Sequence, residues 1–181
     1  METALKYIVT GFKPFAGHPI NASWEAVKLV KTKRNGAHIQ EMTVDHLSAH
    51  AEINLLLENT PCDILLLSGV SPYHVIKMEL QATKPIELSH ISGPSLLRGN
   101  WPWKENLSAL NESGIPAETS QDAGKYVCES IYWSALNFRR INGYPQYVSF
   151  LHVPVLSPQW DENKIAGAMV LSLDLLSNQL P

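Results

Sequence analysis

The chain of 181 residues is long enough for one domain with a full core, and its 45% hydrophobic and 17% charged content is that of a globular protein. A formal net charge of -3 gives no basic field for nucleic acid or an anionic membrane; no apolar run approaches bilayer-spanning length, and Met-Glu-Thr-Ala does not open a signal peptide. Only two cysteines, Cys62 and Cys128, are present, which makes no disulfide framework and predicts a reducing, cytoplasmic setting.

In chain order, Tyr7–Thr10 is a short apolar run ending at Gly11, as a buried strand would. After a loop over Phe12–Ala22, Ser23 is expected to cap a helix whose Trp24, Val27 and Val30 share one face. Ile39–Val44 reads as a second strand. His46–Asn59 reads as a helix, with Ala49, Ile53, Leu56 and Leu57 inward and Pro61 as the stop. Asp63–Ser68 is an unbroken apolar run, which suits a strand covered on both faces. Ile76–Thr83 alternates, so Ile76, Met78 and Leu80 point one way and Lys77, Glu79 and Gln81 the other.

From Lys84 to Trp103 the chain is rich in Pro, Gly and Ser and is expected to be irregular. Trp101 and Trp103, exposed in that loop, could serve an interface or cover the core beneath it. A short helix over Glu105–Glu112 follows, then a strand at Ala117–Ser120. The next helix carries Cys128, with Asp122 as its expected N-cap and Tyr126, Val127, Ile131, Ala135 and Phe138 at helical spacing. A strand at Tyr147–Val153 and a helix at Glu162–Ser177 complete the chain. This alternation predicts an α/β fold, a three-layer α/β/α sandwich around a mostly parallel twisted sheet, formed as one domain over residues 1–181. Sites in such sheets gather at the carboxyl ends of strands, where Gly11, Gly69 and His152 fall.

Cys128 draws attention because a helix N-terminus favours the thiolate, the nucleophilic form of cysteine. The alternative is a buried apolar thiol, and Cys62, beside Pro61 at a strand entry, has only that structural reading. A cysteine nucleophile needs a base and a third group to orient the base. Of the seven histidines, His152 stands inside a hydrophobic strand, where an imidazole needs a partner whether it is catalytic or merely a satisfied core residue. His18, His38, His46, His50, His74 and His90 lie in polar surroundings, as surface or loop residues would. His46 and His50 have the i, i+4 spacing of metal ligands but no third ligand nearby, so no metal is expected. Glu79 either lies on a solvated strand face or holds the second imidazole N–H. No dinucleotide or P-loop phosphate motif occurs, since Gly11 and Gly17 are wrongly spaced and no Gly-Lys-Ser/Thr exists.

Three blocks together resemble the pyroglutamyl peptidase I family, cysteine peptidase family C15. They are Thr10-Gly-Phe-Lys-Pro-Phe-Ala-Gly17 with Ile20-Asn-Ala-Ser-Trp-Glu-Ala-Val27, Gly114-Ile-Pro-Ala117 running into Ser120–Cys128, and Phe150-Leu-His-Val-Pro154. They occur in family order over nearly the whole chain. The resemblance implies a phosphorylase/hydrolase-like fold and a cysteine peptidase that removes an N-terminal pyroglutamyl residue from peptides through an acyl-enzyme. It implies Cys128 as nucleophile, His152 as base and acid, and Glu79 as the third member. It implies Phe12 and Phe15 as the aromatic pair around the lactam ring, with Gly69, Val70, Ser71, Tyr126 and Val127 as further substrate-binding residues. No cofactor is implied; the partners are pyroglutamyl peptides, and the assembly a homodimer or homotetramer. The chain departs from the family's pattern at Gly69-Val-Ser-Pro-Tyr-His74, in the short stretch Gln81–Ser95 and at Glu129-Ser130. A cysteine hydrolase of shifted specificity and an inactive binding relative therefore stand as alternatives.

Overall fold

The computed structural model describes residues 5–180. Eight strands and five helices follow one another: β1 (Tyr7–Phe12), α1 (Ala22–Lys33), β2 (His38–Met42), α2 (His46–Asn59), β3 (Ile64–Ser71), β4 (Ile76–Glu79), β5 (Gln81–Thr83), β6 (Leu96–Arg98), α3 (Trp103–Glu112), β7 (Ala117–Ser120), α4 (Val127–Asn142), β8 (Tyr147–Pro154) and α5 (Glu162–Ser177). Six strands form one sheet in the order β2-β1-β3-β8-β4-β7. β2, β1, β3 and β8 run parallel. β4 then pairs antiparallel with β8 and parallel with β7, so the direction reverses at the β4–β8 seam.

Alternation along the strands divides the core into two layers. Ile64 and Leu66 of β3 meet α1 and α5 on one side, while Leu65 and Leu67 meet α2 and α4 on the other. This is why β3 is apolar without a break: both of its faces are covered. β1 runs one residue past Gly11, which has no room for a side chain: a Cβ there would stand 2.8 Å from the backbone of Ser23 and Trp24, where α1 begins.

Several local expectations need correction. Asn21, not Ser23, caps α1: its Oδ1 accepts the Ser23 N–H at 3.0 Å, while the Ser23 hydroxyl donates to the same oxygen and accepts the Phe12 N–H. Val27 and Val30 are buried, but Trp24 and Leu56 are only partly so. β2 runs His38–Met42, ending two residues before Val44. The predicted strand Ile76–Thr83 is two strands in different sheets, broken at Leu80, whose N–H donates to Ser120 O and whose carbonyl accepts the Gly99 N–H. The Pro/Gly/Ser-rich stretch is likewise structured: β6 pairs with β5, and a 3₁₀ turn spans Ile86–Leu88. Trp101 and Trp103 are not exposed. Trp101 is buried and Trp103 partly buried against the layer of α1 and α5, with Trp103 itself starting α3.

α4 also differs from the amphipathic helix expected of it. Every residue from Val127 to Phe138 is buried, because the segment around β5 and β6 covers its outer side. The Trp133 indole N–H donates to Pro94 O at 2.9 Å, and the Asn137 amide donates to Ser92 O at 3.1 Å. Among the described residues, no helix is long and apolar enough to cross a membrane.

Candidate active site

The sheet and α4 bring Cys128, His152 and Glu79 together. Cys128 is the second residue of α4, nearer the helix start than an Asp122 cap would have placed it. Tyr126 stands at the N-cap and offers no side-chain bond. Asp122 instead accepts the Gly124 N–H at 2.9 Å, shaping the turn before the helix. The leading N–H groups of α4, that of Cys128 among them, therefore have neither an intrahelical acceptor nor a side-chain cap, and they carry the positive end of the helix dipole.

His152 reaches the same place from β8, and Glu79 from β4 across the seam. His152 Nδ1 lies 2.7 Å from Glu79 Oε1, and both side chains are buried. Glu79, 1% exposed, is thus no part of a solvated strand face: α4, contributed by residues nearly fifty positions later, covers it. The Tyr132 hydroxyl of α4 donates to the Glu79 carbonyl at 3.0 Å, which holds the end of β4 in place. Burial is the largest single influence on the His152 ring and opposes its cation. Hydrogen bonds to Cys128 and Glu79, and the charges of both, outweigh it and raise the ring's pKa to about 9. The imidazole between Cys128 and Glu79 is therefore biased toward its cation.

A cavity of about 790 Å³ opens over these groups. Phe12, Phe15, Val70, Ser71, Tyr126 and Val127, all expected at the site, line it. Phe12 is 2% exposed and forms a wall, whereas Phe15 and Tyr126 are 44% and 77% exposed and stand at its mouth. Gly69 is the one expected residue that does not line the cavity. It lies behind the thiol, where an added Cβ would be 2.6 Å from Cys128 Sγ. Among the described residues, no Lys or Arg lines the cavity, while Asp45, Glu79 and Asp122 do, so the lining does not favour an anionic ligand group.

Sequence reasoning missed Asn21, Val44, Asp45, His46 and Tyr73, which also line the cavity. The capping patterns of Asn21 and Asp45 were legible signals for where β1 and β2 hand over to their helices. His46 and His50 are not surface residues: half-buried where α2 meets α4, they bond Ser130 Oγ at 2.6 Å and Ser134 Oγ at 2.7 Å. Among the described residues, no group of three or more His, Cys, Asp or Glu is placed to hold a metal.

Glu129, next to Cys128, braces the covering segment: its Oε1 accepts the Thr83 N–H at 2.8 Å. Burial pushes the Glu129 carboxyl up, against the opposing pull of that bond. Cys62 is remote from this chemistry. Burial, assisted by the charge of Asp63, raises its thiol to about 12, which keeps it in the inert form.

Comparison with known proteins places the chain in a family. The family model for pyroglutamyl peptidase matches residues 81–180, which include Cys128 and His152. The pyrrolidone-carboxylate peptidase of Thermococcus kodakarensis is 32% identical over 167 residues, covering 83% of this chain and 81% of the relative. Pyrrolidone-carboxylate peptidase 1 of Caldanaerobacter subterraneus is 29% identical over 185 residues, covering 93% and 91%. A mutant pyrrolidone carboxyl peptidase from Pyrococcus furiosus superposes with a TM-score of 0.89 over 98% of this chain and 100% of that chain, at 24% identity, which establishes the shared fold. With its family model, its relatives and its fold in accord, the chain belongs to the pyroglutamyl peptidase family, C15.

Proposed function

We propose that the chain is a cysteine peptidase that removes the amino-terminal pyroglutamyl residue from peptides, with Cys128 as nucleophile, His152 as acid and base, and Glu79 as the residue that positions His152. The observation that carries this reading is the Glu79–His152 hydrogen bond beside Cys128, with the thiol at a helix N-terminus and all three groups lining one cavity. Pyroglutamate is a small neutral ring with one N–H and one carbonyl, so its pocket needs aromatic faces and a few polar groups rather than a charge. Phe12, Phe15, Tyr126 and Val127 are the walls assigned to it, with Val70 and Ser71 beside them. Ser71 is a lining residue whose hydroxyl is buried without a hydrogen-bond partner among the described residues.

In this mechanism the Cys128 thiolate attacks the carbonyl that joins pyroglutamate to the next residue, forming a carbon–sulfur bond. The developing oxyanion meets the N–H groups at the start of α4. The His152 imidazolium gives its proton to the leaving amine, and the carbon–nitrogen bond breaks. Water, deprotonated by the now neutral His152, then hydrolyses the thioester and restores both groups.

The test is hydrolysis of a pyroglutamyl fluorogenic amide by the purified protein under reducing conditions. Turnover is expected, with an alkaline limb: His152 loses the proton it must donate, so kcat/KM falls as pH rises through about 9. Alkylation of the Cys128 thiolate should persist there, because it needs no proton donor. The raised pKa also links to stability. Protonated His152 stabilises the fold fully below its ordinary value of 6.5, and that contribution is lost as pH rises through about 9.

Glu79→Gln keeps volume and a hydrogen bond but removes the charge. A loss of roughly 10²–10⁴-fold in kcat is expected, as for the carboxylate of other triads. The alkaline limb should also move to lower pH, because one of the interactions that raises His152 is gone. An unmoved limb would show that Glu79 serves structure alone.

A further inference from the structure

A second cavity of about 350 Å³ adjoins the first. The two share Phe15, Asn21 and Val70 as a common wall, while Ile20, Val155 and Leu156 line only the second. They lie on opposite sides of the sheet's rim. Phe12, Val127 and Cys128 belong to the layer of α2 and α4, whereas Val70, Ala22 and Leu156 pack with the layer of α1 and α5. Phe15 stands between them on a tight turn, where Ala16 and Gly17 both have positive φ, at 52° and 78°, and the His18 N–H donates to Phe15 O. A non-glycine residue in that region is held at a cost, which fixes the position of Phe15.

We infer that the second cavity is the subsite for the residue that follows pyroglutamate, and that it takes an aliphatic or aromatic side chain. The inference rests on the proposed peptidase reading. His152 gives its proton to the leaving amine, and Val155 and Leu156 follow directly beyond the end of its strand, β8. A peptide with its lactam ring by Phe12 therefore passes over the rim at Val70 and meets Val155 next. No acidic residue, Lys or Arg lines this cavity, and His18 is its only titratable group. Its volume is ample, since a cavity of about 150 Å³ already holds a benzene ring. Ile20 and Val155, each about half exposed, are apolar surface left open in the free protein that a substrate side chain would cover.

The test compares hydrolysis of pyroglutamyl-leucine with that of pyroglutamyl-glycine by the wild type and by Ile20→Asp and Val155→Asp. Both positions are exposed enough for the variants to fold. The wild type is expected to favour the leucine peptide in kcat/KM by about tenfold, the scale of discrimination in an apolar pocket. Each variant is expected to lower that ratio at least threefold. A wild-type ratio near one, or a ratio the variants leave untouched, would overturn the subsite while leaving the peptidase reading intact. A change of oligomeric state on size-exclusion with an untouched ratio would assign the face to contact between copies of the chain, again overturning it. Absence of turnover on every pyroglutamyl compound would remove the peptidase reading and the subsite with it.

Discussion

Replacing Cys128 by alanine is expected to lower hydrolysis of pyroglutamyl amides by roughly 10⁴–10⁶-fold, the loss seen when a hydrolase nucleophile is removed from an otherwise intact site. The remaining elements cannot compensate. In the proposed mechanism His152 and Glu79 hold and move a proton and the start of α4 stabilises charge, but none of them forms the acyl bond. The fold should survive, because the substitution removes one sulfur atom from the wall of an open cavity, and the thermal midpoint should move by only a few degrees. Cys62→Ala supplies the control. It removes the other thiol from a buried position away from the cavity, and activity should remain while stability drops. Turnover that survives in Cys128→Ala would sink the mechanism outright.

Gly69→Ala tests the geometry rather than the chemistry. Gly69 has no positive φ, so its backbone tolerates a side chain. Its neighbours do not. The new methyl carbon would stand 2.6 Å from Cys128 Sγ and 3.2 Å from Phe150 Cζ. Phe150 is fully buried in the core, so the thiol is the group able to yield. It would turn away from His152, and a displacement of about 1 Å at a reacting atom costs on the order of 10²-fold in rate. A fall of at least 100-fold in kcat is therefore expected, with a stability cost of about 1–3 kcal/mol from overpacking. Kinetics and thermal unfolding on the same preparation separate the two effects. Wild-type turnover in this variant would mean that the thiol finds its working position whatever lies behind it.

How far the fold could be read from the sequence depended on how local each signal was. α2 was legible to the residue, because Pro61 stops a periodic run, and β7 and α5 were placed close to their observed bounds. The cap of α4 was misread because Asp122 and the glycine after it can serve a turn as readily as a helix start, and here they serve the turn. The alternation in β4 put Glu79 on the right face, but periodicity gives faces and not layers. Only α4, far along the chain, decides that this face is covered. β5 reads as the tail of a single strand over Ile76–Thr83, and β6 has three residues, too short to show a period, so the stretch from Lys84 that helps enclose α4 reads as loop. His46 and His50 share a helix face by their spacing, and nothing nearby in sequence announces that Ser130 and Ser134, at the same spacing, lie opposite. The proposed catalytic constellation was reached through resemblance; chemistry alone singled out Cys128 and His152 as candidates and left Glu79 undecided.

The reversal of strand direction at the β4–β8 seam also bears on how the protein acquires activity. Glu79 and His152 belong to strands whose pairing closes a loop of more than seventy residues, so their contact is non-local and entropically slow to form. α4 and its thiol can assemble from local contacts well before that. During refolding, a cysteine at a helix start should thus exist before the imidazolium that assists it. Recovery of turnover would then report the zipping of that one seam, later than recovery of helical signal.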